Sequence, residues 1–307
     1  MHILLAGGTG LIGRALVDEL LTHDHTVVLL TRSLADTARL VRPGVTLAAW
    51  DGRSGGSWTA SLEATDAVVN LAGATIAKRW TTRQKERILS SRIESTRTIV
   101  EALSRGHRRP RILVNASAVG YYGNVPKGDV TEELPRGQGF LSDVCVEWEQ
   151  TAEKLLRGVP DARVVVLRTG IVLDPRAGAL KKLITPFRFF AGGSFGSGRQ
   201  GFPWIHLADE VGAIRFLIEH PSASGPANLA APGCVTMSEF CRALGHALHR
   251  PSWLPVPGIA LRMGLGEMAG PLLLEGQRIV PKRLLELGYR FRHPALEAAL
   301  RDLLTKP

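Results

Sequence analysis

The stretch MHILLAGGTGLIGRALVDELL, residues 1–21, decides how this chain is read. His2–Ala6 is a short apolar run of strand character. Leu11–Leu21 carries apolar residues at helical spacing. Between them Gly7, Gly10 and Gly13 form a G-x-x-G-x-x-G turn. The first glycine of such a turn allows a sharp exit from the strand. The second lets a pyrophosphate approach the backbone, and the third lets helix and sheet pack closely. A phosphate held there meets free N–H groups and the positive end of the helix dipole. A glycine triplet alone is a weak signal. One that leaves an apolar strand and opens an amphipathic helix has the context of a dinucleotide site.

Outward from this turn, apolar runs alternate with helical patterns. The expected strands are His2–Ala6, Thr26–Leu30, Val45–Ala49, Ala67–Leu71, Ile112–Ala116 and Arg163–Leu167. The expected helices are Leu11–Leu21, Thr82–Leu103 and Ser142–Leu156, with later ones near 209–219 and 295–303. Near-continuous apolar strands separated by helices predict a parallel sheet covered on both faces. The fold class is therefore α/β, a Rossmann-like doubly wound parallel sheet with a smaller C-terminal substrate lobe. A dinucleotide-binding domain is expected over 1–175, with segments such as 203–220 returning to it. Residues 176–307 form mainly the substrate lobe, where glycine, proline and aromatics become dense.

The chain has 307 residues and a formal net charge of +10. That length supports a sizeable core. The charge favours anionic ligands. The densest basic run, Arg105–Arg111, reads as a solvated loop, and no nucleic-acid-binding signature accompanies it. Cys145, Cys234 and Cys241 make no paired framework or CxxC metal site and are expected to be free thiols. No metal is expected. No apolar run has the length of a membrane span, so no membrane partner is expected. The start reads as a strand rather than a signal peptide. A soluble cytoplasmic protein binding a small-molecule substrate is the resulting expectation.

The end of the second strand bears on the cofactor. An NAD site usually carries an acid there for the ribose 2′-hydroxyl. Here the strand runs into Thr31, Arg32 and Ser33. Arg32 suits a 2′-phosphate through charge-assisted hydrogen bonds, which favours NADP(H) over NAD(H). Its plainer alternative is a surface arginine at a strand end. Asp51, after the third strand, suits the adenine amino group or simply starts a turn. Leu71, Ala72 and Gly73, after the fourth, let backbone lie close to a cofactor or merely pack the sheet.

GGTGLIG (7–13), NLAGA (70–74), NASAVGYYG (115–123), LRTGIVL (167–173) and WIHLADEVGAI (204–214) together resemble the extended short-chain dehydrogenase/reductase superfamily. RWTTRQKERILSSRIEST (79–96), VCVEWE (144–149), GSGRQGFPWIH (196–206) and LLLEGQRIVPKRLLELGYRF (272–291) resemble its nucleoside-diphosphate-sugar epimerase-like branch. The last segment is similar to that branch's small C-terminal domain, placed at about 250–300 on the size scale of small domains. The resemblance implies an NADP(H)-dependent oxidoreductase or epimerase-like enzyme. By it Gly7, Thr9, Gly10, Leu11, Ile12 and Gly13 would cradle the pyrophosphate, and Arg32 and Ser33 would meet the adenosine phosphate. Asp51 would meet adenine. Leu71, Ala72, Gly73, Ser117 and Thr169, Gly170 and Ile171 would line the route to the nicotinamide. A nucleotide-sugar-like substrate is implied, with Arg199, Trp204 and His206 on its side. So is a homodimer through helices 82–103 and 142–156.

The chain departs from this pattern at the catalytic helix. The family needs Y-x-x-x-K, a tyrosine acid/base with a lysine one turn on. The helix reads FLSDVCVEWEQTAEKLL, without tyrosine. Cys145 stands at the tyrosine position and Glu149 at the lysine position. Ser117, Cys145, Glu149 and the loop residue Tyr122 are the catalytic candidates. For Cys145 and Tyr122 packing is the plainer role. Two readings stay open: an enzyme with a non-standard acid/base set, and a non-catalytic NADP(H)-binding regulatory or redox-sensing protein.

Overall fold

A computed structural model describes residues 1–105 and 110–305. The chain divides into two compact units. The first comprises Met1–Ser117, Val144–Leu167 and Val211–Ala227; the second, Ala118–Asp143, Arg168–Glu210 and Asn228–Pro307. This division differs from the expected boundary at 175. Residues 118–143 and 168–175 group with the second unit, and the returning segment is 211–227.

The first unit is built on a seven-stranded sheet. Five strands are β1 (His2–Ala6), β2 (Thr26–Thr31), β3 (Val45–Ala49), β4 (Ala67–Asn70) and β5 (Ile112–Ala118). The other two are Arg163–Thr169 and Gly225–Leu229. Across the sheet the order is Gly225–Leu229, Arg163–Thr169, β5, β4, β1, β2, β3. β1 pairs in parallel with β2 (Leu4 opposite Val28) and with β4 (Leu4 opposite Val68). β2–β3 and β4–β5 are also parallel. Strand order reverses beside β1, so the loops after β1 and β4 open a crevice at the strands' C-terminal ends. The fold is the expected Rossmann-like one.

Each expected strand forms within two residues of its predicted ends. The apolar runs succeed because both faces are covered: Ile3, Leu4, Leu5 and Ala6 are all fully buried. Helix Leu11–Thr22 buries Gly13, Leu16, Val17 and Leu20. The long helix Thr82–Arg105 buries Ile88, Ile93, Ile99, Val100 and Leu103. The third expected helix is Phe140–Glu153 followed by one turn, Leu155–Gly158. The sequence reading did not include strand Gly225–Leu229. Its Gly225 and Pro226 read as loop, but an edge strand tolerates a proline that lacks a ladder donor.

The second unit has its own core. Leu173, Leu180, Phe187, Phe202, Trp204 and Phe240 pack with Leu296 and Leu300 of the last helix, Leu296–Thr305. Helix Met237–Leu248 starts at a capping box in which Thr236 and Glu239 satisfy each other's backbone N–H. Of the basic run, Arg105 and Arg111 form exposed ion pairs with Glu101 and Asp161. Residues 106–109 lie outside the described residues. Cys145, Cys234 and Cys241 form no disulfide among the described residues. Among the described residues no helix is long and apolar enough to cross a membrane.

Candidate functional site

In the first unit a cleft of about 680 Å³ opens at the C-terminal ends of β1, β2 and β4. Gly7, Thr9, Gly10, Arg32, Ser33, Asp51, Leu71, Ala72 and Gly73 line it, so nine expected cofactor residues meet in one place. Gly7 takes φ +81, and a Cβ there would lie 2.6 Å from the Leu71 carbonyl carbon. Only glycine lets β1 turn this close to the strand beside it. Gly10 caps helix Leu11–Thr22 without a side-chain hydrogen bond, which leaves first-turn N–H groups available. Leu11, Ile12 and Gly13 do not line the cleft. Gly13 sits behind it, where a Cβ would strike the backbone of Gly7 and Gly8. Its part is the close packing of helix on turn.

The cleft is basic. Arg14, Arg32, Arg39, Arg53, Lys78 and Arg87 face it against Asp36, Asp51 and Glu94. Arg53 is paired with Glu94 at 3.0 Å, and Arg14 donates to the Thr9 carbonyl at 2.9 Å. Arg32 is exposed and carries no ion pair among the described residues. Ser33 accepts a hydrogen bond from Asp36 N at 3.3 Å and so starts the short helix after β2. Asp51 accepts from the Arg53 and Ser54 backbone N–H groups and from Ser54 Oγ at 2.7 Å. These bonds, the Ser54 hydroxyl first, pull its carboxyl down to about 2. The turn role is therefore real, and the carboxylate still faces the cleft.

A buried polar network holds the turn after β4. Asn70 donates to Asn115 Oδ1 at 2.8 Å and to Thr96 Oγ1 at 2.9 Å. Its own Oδ1 accepts from Ala72 N at 3.2 Å, and Trp148 Nε1 donates to Thr96 Oγ1. Arg92 lies against Gly73 and donates to the carbonyls of Ala74 and Ile88. Its guanidinium carbon is 5.0 Å from the Trp148 ring centroid. Burial lowers the Arg92 pKa, and the nearby Cys145 thiol pulls the other way. Sequence reading gave no role to Arg92, Asn70 or Thr96. The signal available was a cation at helical spacing from the buried residues Ile88, Thr96 and Ile99.

At the end of β5, Ser117 Oγ donates to Glu149 Oε1 at 2.6 Å. Both side chains are buried, at 5% exposure each. The residue expected at the family's lysine position thus pairs with Ser117. Cys145 is buried on the same helix.

Tyr122 does not replace the missing tyrosine. It belongs to the second unit, is 1% exposed, and donates to Asn228 Oδ1 at 2.7 Å. Arg168 donates to the same hydroxyl at 3.0 Å and lies 3.5 Å from the Tyr121 ring centroid. Burial pushes the phenol up to about 12 despite that cation. Its hydroxyl proton is directed at Asn228 and its side chain is 1% exposed, so core packing accounts for this residue.

Other expected residues also have different work. Thr169, Gly170 and Ile171 lie in the second unit. Thr169 Oγ1 donates to Glu210 at 2.9 Å, and the N–H groups of Gly170 and Ile171 donate to Leu229 and Pro203 carbonyls. Trp204 is 1% exposed in the core, with Nε1 donating to Gly233 O. His206 is buried, stacked on His293 with centroids 3.9 Å apart, and accepts from Ala208 N at Nδ1. That bond leaves its proton on Nε2, 3.3 Å from Asp302 Oδ2 and off hydrogen-bond geometry. His206 thus caps the following helix, and with His293 and Asp302 it places possible ligand atoms within 4.8 Å of one another. Arg199 is the exposed member of the substrate set.

Two buried groups tie stability to pH. Burial pushes Glu210 up to about 8, and its Oε2 has no hydrogen-bond partner among the described residues. Folding takes up a proton there, so its stability contribution is lost as pH rises from about 4.5 through about 8. Burial, then His293, pushes His206 down to about 4. Its contribution is lost as pH falls from about 6.5 towards about 4. Glu210→Gln is expected to gain about 1–3 kcal/mol over the wild type at pH 8 and little at pH 5. Urea unfolding at the two pH values measures this.

Residues 3–230 match the NAD dependent epimerase/dehydratase family, and residues 256–303 match a domain of unknown function, DUF1731. The epimerase family protein SDR39U1 homolog, chloroplastic, of Arabidopsis thaliana is 41% identical over 99% of this chain and 87% of its own length. Epimerase family protein YfhF of Bacillus subtilis is 37% identical over 99% of this chain and 98% of its own. The crystal structure of human epimerase family protein SDR39U1 (isoform 2) with NADPH superposes at TM-score 0.88 with 34% identity, covering 100% of both chains. UDP-glucuronic acid 4-epimerase of Bacillus cereus, in complex with UDP-glucuronic acid and NAD, shares the fold at TM-score 0.78 and 18% identity over 99% of each chain.

Proposed function

This chain belongs to the NAD dependent epimerase/dehydratase family, and we propose that it binds NADP(H) in the first unit's cleft and uses it in redox chemistry on a small substrate. One observation carries the cofactor preference. Where a ribose-binding carboxylate would stand at the end of β2, the chain has Arg32, exposed and without an ion pair among the described residues. A guanidinium pairs more strongly with a phosphate dianion than with an uncharged ribose diol. The NADPH in the human relative supports the same preference.

In this reading the pyrophosphate lies against Gly7, Thr9 and Gly10, before the uncapped helix N-terminus. Arg32 meets the 2′-phosphate, and Asp51 presents a carboxylate to the adenine end. The cofactor supplies or accepts the hydride. The proton is handled by Ser117 and Glu149. Ser117 Oγ receives the proton of a substrate hydroxyl while its own passes to Glu149 Oε1. The reverse order delivers a proton to a carbonyl oxygen. Arg92 and the Asn70 network hold the turn at Leu71–Gly73 in place.

Arg32→Ala is expected to weaken NADPH binding by roughly tenfold to 100-fold and to leave NADH binding nearly unchanged. Calorimetric titration of both variants with both nucleotides measures it. An equal loss for the two nucleotides would remove Arg32 from the 2′-phosphate. In a panel of carbonyl substrates followed by NADPH absorbance, Glu149→Gln is expected to lower turnover by roughly 10²–10⁴ with NADPH affinity held within about twofold.

The helix Phe140–Glu153 has no tyrosine, and Tyr122 is fully engaged. These facts favour a second reading, a dinucleotide-binding protein without turnover. Tight NADPH binding with no consumption across the panel would select it.

A further inference from the structure

We propose that the second unit carries a face that docks reversibly on an anionic lipid bilayer, independently of any cofactor. Phe189, Phe190, Trp253 and Leu254 are all exposed large apolar residues. Two chain segments bring them side by side. Gly192 bridges Ser252 and Phe195 bridges Val256, both in parallel. Trp253 Nε1 donates to the Phe190 carbonyl at 2.9 Å. Just beyond, helix Gly258–Leu265 buries none of its residues. Its Ile259 and Met263 are 75% and 79% exposed and share one face at i, i+4 spacing. Apolar side chains held open together mark a surface that something covers.

The charge around them says what. Residues 175–208 and 240–266 contain no aspartate or glutamate. Arg188 adjoins Phe189 in the chain, and the Arg250 guanidinium carbon lies 4.6 Å from the Phe190 ring centroid. Arg262 lies between Ile259 and Met263, and Lys181 and Lys182 are exposed on helix Gly178–Arg188. A second copy of the chain would bring two predominantly basic faces together, which like-charge repulsion opposes. An anionic bilayer answers both features. Aromatic and aliphatic side chains enter the headgroup boundary, while guanidinium and ammonium groups pair with lipid phosphates. Peripheral docking needs no spanning helix, and among the described residues no helix is long and apolar enough to cross a membrane.

The test is co-sedimentation of the full chain with vesicles of equal phosphatidylglycerol and phosphatidylcholine, against phosphatidylcholine alone. Trp253 is the one exposed tryptophan among the described residues, so quenching by brominated acyl chains reports its insertion. The expected result is binding to the anionic vesicles, weakened by salt, with quenched tryptophan emission. Ile259→Glu with Met263→Glu is expected to lower the bound fraction by roughly tenfold at an unchanged circular dichroism spectrum. Should that variant misfold, Arg188→Gln with Arg262→Gln replaces it, with the same expected loss. No binding to anionic vesicles, binding without quenching, or binding unchanged in the folded variant overturns the proposal. So does a dimer that Met263→Glu dissolves, which would assign the face to a second copy. Retention on an acidic protein but not on the vesicles would assign it to a protein partner.

Discussion

Gly7→Ala is expected to lose roughly 100-fold or more in NADPH affinity and about 2–4 kcal/mol of unfolding free energy. The cause is local and twofold. The residue sits at φ +81, which an L side chain rarely adopts. Its new Cβ would also lie 2.6–2.9 Å from Leu71 C, Leu71 O and Ala72 N. All three atoms are backbone of the turn that leaves β4, where Leu71 N donates to the Ala6 carbonyl. That turn is itself anchored by Asn70. Relief therefore requires β1 and β4 to separate where the cofactor would lie. Urea unfolding and calorimetric titration give the two numbers. A variant of wild-type stability that binds NADPH normally would show that the turn is not the phosphate cradle.

Arg168→Met is expected to destabilise by about 3–5 kcal/mol, because it removes a buried cation whose surroundings are built for it. Arg168 is 4% exposed. It donates to Tyr122 Oη and to the Glu132 carbonyl and stacks over Tyr121. Lysine does not rescue it, since a point ammonium cannot donate in several directions and stack at once. Tyr122→Phe, by contrast, is expected to cost about 1–2 kcal/mol, the loss of one buried hydroxyl's bonds. It is expected to leave substrate turnover unchanged. Turnover abolished in a stable Tyr122→Phe protein would return this residue to the catalytic set.

These two positions mark what the chain's sequence disclosed and what it hid. Gly7, Gly10 and Arg32 were legible because the strand–turn–helix context is local: three glycines and an apolar run fix the geometry within about one strand and one helix turn. The parallel strands were legible because burial on both faces makes them almost purely apolar. Ser117 and Glu149 were found through alignment to a family pattern, yet their 2.6 Å bond spans 32 residues and no spacing rule reveals it. Tyr122 misled for the same reason. Its partners Arg168 and Asn228 come from distant chain segments, so its engagement was invisible. Trp204 and His206 sat in an aromatic, glycine-rich stretch that reads as a ligand loop. The fold instead uses one as core and the other as a cap. Arg92 was overlooked because, as one of six basic residues in helix Thr82–Arg105, it looks solvated until Trp148 and Gly73 are placed beside it.

The central claim is that the first unit's cleft holds a dinucleotide with a 2′-phosphate. Titrating the wild-type protein with NADPH and with NADH in the calorimeter, at low and moderate salt, tests it most directly. NADPH is expected to bind at least about tenfold tighter, with a margin that shrinks as salt screens the 2′-phosphate. Equal affinities at every salt concentration, or no binding of either nucleotide, would contradict it.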